Sequence, residues 1–373
     1  MNQEKPKYEI IKDDILARIR NNNFSYDEVL CTEKQLSEEY QVSRITAKRA
    51  ITDLENLGIL FRKRGVGSFV ARNAINNLNR SLSPSTKSLK MVSFLLPFDI
   101  TKGGMLQTVE VINNTLNSNG YIMSIYVSGK KEKANLKLLL SQNLSGLIYY
   151  PERDKINLGL INEFVFSHIP VVIIDKTTDC SYVHNITSDN FEGGRLLTEH
   201  LLSLGHKNIA FLTTAALEDC STVRNRFGGF LHQMQKSGHP LTPTNLISYG
   251  KELTDEDAFT KGSEIQDIIL KLYHSNITAI IAENDVVAHR LCLACNSLGI
   301  RIPEDLSICG FDKANTMESQ GLTSIQQNFH QIGVEVSNII SHAMADPNYP
   351  CQKIILPVQL SIGNTTAAPR EIS

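Results

Sequence analysis

Apolar residues repeat with two different periods along this chain, and the change of period divides it. In TEKQLSEEYQVSRITAKRAITDLENLGIL, from Thr32, Leu36 and Tyr40 are followed by Ala47, Ala50, Ile51, Leu54 and Leu57 at spacings of three, four and seven. That is the repeat of helices with one buried face. Thr32 is placed to cap the first helix, with acidic residues in its opening turn, and Ser43 to cap the second after the turn Gln41-Val42-Ser43. Gly58 stops the second helix. Ile59–Arg62 and Ser68–Ala71 then form a hairpin around Lys63-Arg64-Gly65-Val66-Gly67. Helix, turn, helix and hairpin in this order predict a winged helix-turn-helix.

From residue 90 the texture is different. Apolar runs at 91–96, 121–127, 146–150, 170–175, 183–189, 208–213, 246–250, 279–283 and 307–312 alternate with helical patterns at 104–119, 131–143, 157–167, 191–204, 222–237, 255–274 and 285–298. Continuous apolar strands separated by helices read as parallel α/β sheets. Two such sheets in tandem predict a two-lobed domain with a cleft. The chain is expected to cross between lobes near 205, near 315–322 and near 346–352. Between the two textures, NAINNLNRSLSPSTKS is rich in Asn and Ser and lacks apolar periodicity. The predicted organisation is a winged helix-turn-helix over 1–72, a linker over 73–89 and an α/β domain of doubly wound parallel sheets over 90–373.

At 373 residues the chain is long enough for two or three folding units, and its net charge of −2 gives no sign of a nucleic-acid partner. The local balance does: residues 1–72 carry 13 Lys+Arg against 11 Asp+Glu, whereas the remainder carries 24 against 28. DNA contact would therefore come from a patch on the N-terminal module. The polar N-terminus and the lack of a long apolar run are expected of a cytoplasmic protein with no membrane partner. The seven cysteines are scattered, and Cys292-Leu-Ala-Cys295 lies in an apolar helical pattern, so it reads as a core face and no metal is expected.

The second helix has the makings of a recognition helix. Arg44, Thr46, Lys48 and Arg49 fall on its open face or first turn, where cations read guanine and hydroxyls such as Ser43 and Thr46 hold phosphates. Gly65 and Gly67 let the wing backbone approach the sugar-phosphate chain, with Arg62, Lys63 and Arg64 adding charge. The segment SEEYQVSRITAKRAITDLENLGILFRKRGVGSFVA resembles the DNA-binding domain of the GntR family of bacterial regulators. The resemblance covers about the first 72 residues and implies contacts to double-stranded operator DNA by Glu33, Arg44, Lys48 and Gly67. The chain departs from the family pattern at Lys48, where arginine is usual, at Cys31, where proline is usual, and at Ser68, where threonine is usual.

Residues 90–366 resemble the effector domain of the LacI family, on the strength of SDNFEGGRLLTEHLLSLGHKNIAFL, STVRNRFGGFLHQMQKSG, AENDVVAHRLCLACNSLGIRIPEDLSICGFD and LTSIQQNFHQIG. A GntR-type head on such a body resembles the AraR-like sugar-responsive repressors. A sugar needs carboxylates and amides for its hydroxyls, an arginine to bridge oxygens, and a ring for its C–H face. Asp189, Arg226 and Asn284-Asp285 lie at strand ends or loop edges, where open α/β sheets bind ligands. The resemblance implies effector contacts at Asp189, Arg226, Asp285 and Gln327, with Asn284 beside them. Phe98 is the candidate stacking ring, with Tyr150 and Lys176 as further candidates. Asp189 and Asp285 have an alternative role as helix caps, and Asp312 is expected to support the cleft or hinge. His200, His206 and His330 read as helix-end or surface residues.

Three functions compete: a sugar-controlled transcription factor acting as a homodimer, an α/β enzyme of sugar metabolism, and a solute-binding protein. The sole G-x-G is the wing tip, which does not join a parallel strand to a helix, and no phosphate loop, HExxH or nucleophile elbow occurs. The regulator, with neither catalytic residues nor a cofactor, accounts best for both modules.

Overall fold

The computed structural model describes residues 6–371 apart from 22, 23, 27, 57, 64, 72, 73, 75–89, 102, 103, 252, 255, 258, 259 and 315. Arg64, Leu57 and the expected linker, Ala74 excepted, thus lie outside the described residues. The chain separates into two compact units, residues 1–88 and 89–373.

In the first unit, α1 (Lys7–Arg20) presents Ile11, Ile15 and Ile19 on one face to a core shared with α2 (Glu33–Glu39) and α3 (Arg44–Asn56). Thr32 caps α2: its Oγ1 accepts from Gln35 N–H, and the Gln35 side chain accepts from Thr32 N–H in return. The turn passes through Gln41 at φ +49°, and Ser43 Oγ accepts from Thr46 N–H to start α3. Ala47, Ala50, Ile51 and Leu54 are fully buried, as their spacing predicts. Strands β1 (Leu60–Lys63) and β2 (Gly67–Val70) form the wing, paired Leu60↔Val70 through Lys63↔Gly67.

The second unit runs β3 (Lys90–Leu96), α4 (Met105–Ser118), β4 (Tyr121–Val127), α5 (Glu132–Leu140), β5 (Leu144–Tyr149), α6 (Leu158–Phe166), β6 (Val171–Ile174) and β7 (His184–Ser188). It continues through α7 (Asn190–Ser203), β8 (Ile209–Thr213), α8 (Ser221–Lys236), β9 (Leu246–Ser248), α9 (Glu264–His274), β10 (Ala279–Ala282), α10 (Asp285–Ser297) and β11 (Ser307–Asp312). It closes with β12 (Thr323–Gln326), α11 (Phe329–Ala345), β13 (Lys353–Leu356) and β14 (Gln359–Ser361). One sheet has the order β13-β7-β6-β5-β3-β4, parallel throughout. The other has the order β14-β12-β11-β10-β8-β9, parallel except for the antiparallel β12–β14 pair at its edge.

Helices cover both faces of each sheet, so both lobes are doubly wound. In the first lobe Val92, Phe94 and Leu96 point to α4 and α11, while Leu95, Leu147 and Tyr149 point to α5 and α6. In the second lobe α9 and α10 cover one face, α7 and α8 the other.

The crossings lie elsewhere than the sequence suggests. Helix α7 buries Leu197 and Leu201 against Phe211 and Phe230, so it belongs to the second lobe and the chain crosses between Ser188 and Asn190, not near 205. Helix α11 buries Phe329, Val336 and Ile340 in the first lobe, which puts the second crossing at 326–329. The third joins β13 to β14 at 356–359. The three strands of chain touch: Ser188 Oγ donates to Gln327 Oε1 at 2.5 Å, and Asp189 N–H to the Leu356 carbonyl at 2.8 Å. Away from this hinge the lobes meet again. Thr177 N–H donates to Ser221 Oγ (3.0 Å) and Asp154 N–H to the Asp219 carbonyl (2.9 Å). Two ion pairs, Arg153–Asp219 (3.0 Å) and Arg224–Asp154 (3.1 Å), cross the same gap in opposite senses.

Candidate functional site

Each unit has a concave site, polar in the first and mixed polar and apolar in the second. In the first, α2, α3 and the wing surround a hollow walled by Thr32, Glu33, Arg44, Lys63, Gly65 and Gly67, among others. Arg44 and Lys48 are exposed on α3 and have no intramolecular partner among the described residues. Arg49 is placed differently: its guanidinium stacks on Tyr8 of α1, 4.0 Å from the ring centroid. Glu33 pairs with Arg62 at 3.2 Å, and Arg62 also reaches Glu55 at 3.1 Å, so these residues tie the wing to both helices. Ser43 and Thr46 share a hydroxyl contact of 2.9 Å at the start of α3.

Gly67 has φ +150°, and a Cβ there would lie 2.5 Å from Val29 Cγ1, whereas Gly65, at φ +78°, has open space around it. One glycine is demanded by packing and the other by the turn. Sequence reasoning missed the wing's aromatic pair, Phe61 and Phe69, stacked at 5.5 Å with the Lys63 ammonium 4.5 Å from the Phe69 ring. Phenylalanines at alternate-strand partners of a basic hairpin were the available signal. Cys31 and Ser68 are neighbours: Ser68 N–H donates to the Cys31 carbonyl at 2.9 Å, and both side chains are buried. Burial pushes the Cys31 thiol up to about 11.

In the second unit a cavity of about 580 Å³ lies between the lobes, at the C-terminal ends of the parallel strands. Phe98, Tyr150, Lys176, Arg226, Asn284 and Gln327 all line it. Phe98 and Tyr150 meet edge to face at 5.1 Å. The Lys176 ammonium is buried 2.5 Å from Asp175 and 3.5 Å from Thr222 Oγ1. Burial alone would raise Asp175, but Lys176, with Arg226 and the Tyr150 hydroxyl, holds it below the usual carboxylate range. Lys176, which burial alone would lower, is raised by Asp175.

Arg226 donates to Asn190 Oδ1 (2.8 Å) and to the Glu283 carbonyl, lies 3.5 Å from Asp312, and covers the Phe311 ring at 3.6 Å. Gln327 donates to Asp312 at 2.8 Å while accepting from Ser188, which places it in the hinge and in the cavity wall together. Asn284 caps α10 through its side-chain oxygen, accepting from Val287 N–H at 2.9 Å, which leaves its amide NH₂ as a donor. Asp312 sits at φ +115°, a conformation that non-glycine residues rarely adopt and that recurs at functional sites. Burial pushes its carboxyl up to about 6, against Arg226 and Gln327.

Asp189 and Asp285 do not reach the cavity wall. Asp189 caps α7 by accepting from Glu192 N–H at 2.9 Å. Asp285, 3% exposed, accepts from Ser324 Oγ (2.6 Å) and from Lys313 N–H (2.8 Å), so it turns beneath the sheet and pins α10 to β11 and β12. Both do lie at strand ends, as the sequence implies, but Asp189 spends one oxygen on the cap of α7, and both oxygens of Asp285 are engaged by a backbone and a hydroxyl donor. Sequence reasoning missed Asp175, Glu283, Ser188 and Thr222 on the wall. Asp175 follows a buried strand and Ser188 ends one, a signal that was present in the chain.

The remaining side chains of interest are structural. His206 is buried between Thr278 Oγ1 and the Ala367 carbonyl, both at 2.8 Å, rather than lying on the surface. Cys295 is in the core of the second lobe with Cys292 packed at its margin, and burial raises both thiols. Among the described residues no cluster of three His, Cys, Asp or Glu could hold a metal, and no helix is long and apolar enough to cross a membrane.

Residues 7–70 match the family of bacterial regulatory proteins of the gntR type, and residues 198–366 match a periplasmic binding protein-like domain. The chain is 28% identical over 345 residues to the arabinose metabolism transcriptional repressor of Geobacillus stearothermophilus, covering 90% of each protein. It is 29% identical over 342 residues to the repressor of the same name from Halalkalibacterium halodurans, covering 90% of this chain and 88% of that one. In fold it is similar to a LacI family transcriptional regulator of Enterococcus faecium with bound ribose, at a TM-score of 0.64 and 24% identity over 75% of this chain and 99% of that chain. The α/β architecture with a helix-turn-helix head is the one expected from the sequence.

Proposed function

We propose, for a chain that joins a GntR-family regulatory domain to a periplasmic-binding-protein-like domain, that it is a transcriptional repressor released from its operator by a small neutral sugar. It is a regulator and not an enzyme. The observation that carries the reading is one chain holding both a winged helix with free cations and an interlobe cavity in which Lys176 and Arg226 are each matched by a carboxylate. We place the DNA-binding head in 1–72 and the effector domain in 90–373, in a cytoplasmic protein.

The cavity chemistry supports an unphosphorylated ligand. Lys176 is neutralised by Asp175 and Arg226 faces Asp312, so neither leaves charge for a phosphate. The wall instead offers fixed donors and acceptors in Gln327, Asn284, Thr214, Thr222 and Glu283, beside the rings of Phe98 and Tyr150. That mixture suits paired hydroxyls and a C–H face, and a cavity of about 580 Å³ admits a pentose or hexose. The named relatives make arabinose the first sugar to try. A homodimer would present two heads to a two-fold operator. The edge strand β4, with Ile122, Ile125 and Val127 exposed, is the apolar surface we assign to pairing.

The mechanism is linkage. Ligand favours the closed lobes, closed lobes disfavour the operator-bound arrangement of heads, and operator must weaken ligand binding by the same factor. A thermal-shift panel of aldoses and sugar phosphates on the intact protein tests the ligand class, since a ligand that binds only the folded state raises Tm. We expect one neutral aldose to stabilise the wild type but not Arg226→Ala, and to reduce operator affinity. A response to phosphorylated sugars alone would overturn the neutral-ligand reading. On the DNA side, Arg44→Ala should weaken operator binding by about 1–3 kcal/mol and relax specificity at one base position. A gel shift at fixed salt in which the variant keeps full specificity would remove Arg44 from base readout.

A further inference from the structure

The open face of α3 carries one side chain that neither the core nor the charge pattern accounts for. Ile45, the second residue of the helix, is 81% exposed. At about 100° per residue it stands opposite the buried stripe of Ala47, Ala50, Ile51 and Leu54. Lys48 and Arg49, three and four residues further on, share its face, and Arg44 precedes it. A β-branched residue at this place gains no burial and has a lower helix propensity than alanine or lysine. The fold has no use for it.

A helix that enters the major groove does so with its N-terminal residues against the base edges. Isoleucine has no donor or acceptor for a phosphate or for a base heteroatom. The one apolar group displayed in that groove is the C5 methyl of thymine. We propose that Ile45 reads a thymine methyl in each operator half-site, setting base preference beside the cationic contacts of Arg44 and Lys48. This rests on the operator-binding reading above.

The test uses the full-length protein and an operator selected from a random duplex pool. Each thymine is then replaced in turn by deoxyuridine, which removes only the methyl group. At one position per half-site the wild type should lose about fourfold in affinity, the value of one methyl left in water. At that position Ile45→Ala should bind the thymine and deoxyuridine duplexes equally. Its melting temperature and salt dependence should match the wild type, because the phosphate contacts are untouched. The proposal falls if no deoxyuridine affects the wild type, or if Ile45→Ala loses the same factor at the same position. A pool that yields no preferred sequence removes the operator-binding reading as well, whereas a selected operator bound without methyl dependence removes Ile45 alone.

Discussion

Asp285 illustrates what residue type and position leave open. A carboxylate at a strand end serves a ligand or a helix equally well, and the choice depends on where the following loop turns. Here Lys313 N–H and Ser324 Oγ take both oxygens. Burial, and then the charge of Asp312, pushes this carboxyl from an ordinary 3.8 up to about 8. The folded chain therefore holds a proton that the unfolded chain gives up. The stability that Asp285 contributes is full below the ordinary carboxylate range and is lost as pH rises through about 8. Asparagine reproduces the protonated form, with its oxygen toward Lys313 and its NH₂ toward Ser324. We expect the wild-type Tm to fall more steeply than that of Asp285→Asn between about pH 5 and pH 8, since a proton held only by the folded chain costs it about 1.4 kcal/mol for every pH unit climbed. Parallel Tm curves would show that Asp285 stays ionised in the fold. Arg226 and Gln327, by contrast, were legible as cavity residues, because a long side chain beside a cleft still reaches it after the loop has turned.

At the scale of elements, the crossing of α7 and α8 places Arg226. A Cβ on Gly194 would stand 1.9 Å from the Arg226 carbonyl, and one on Gly229 would stand 2.0 Å from the Phe191 carbonyl. The helices approach backbone to backbone at two reciprocal points, so neither can move without the other. Gly229→Ala should cost about 1–3 kcal/mol through overpacking and should weaken sugar binding as well, because α8 carries the guanidinium. A variant with lowered Tm but wild-type sugar affinity would separate the crossing from the site. Most elements between 90 and 312 were readable to within a residue or two, since buried parallel strands are unbroken apolar runs. The helix expected over 255–274 is an exception. Its regular part is α9, which begins after Gly262 at φ +74° and the cap Ser263. Helix α1 escaped notice because its isoleucines are diluted by charge. The lobe crossings escaped because a helix's own pattern does not say which sheet will receive it.

For the whole molecule, the effector domain is held shut at two ends, by three touching crossings at the hinge and by the Arg153–Asp219 and Arg224–Asp154 pairs at the far side. These pairs are partly exposed and worth about 0–1 kcal/mol each, so Arg224→Ala should weaken sugar binding by no more than about fivefold. Added salt should weaken sugar binding in the wild type and do so less in the variant, which keeps only the Arg153–Asp219 pair. A titration calorimeter reading equal salt sensitivity in both would remove these pairs from closure. The enclosure of the cavity also has a bearing on time. A ligand surrounded by both lobes leaves only when they part, so its departure is paced by the protein's opening and not by its own contacts. On the proposed reading, a loaded regulator would keep a short memory: its release from the operator would outlast the sugar outside by the lifetime of the closed state.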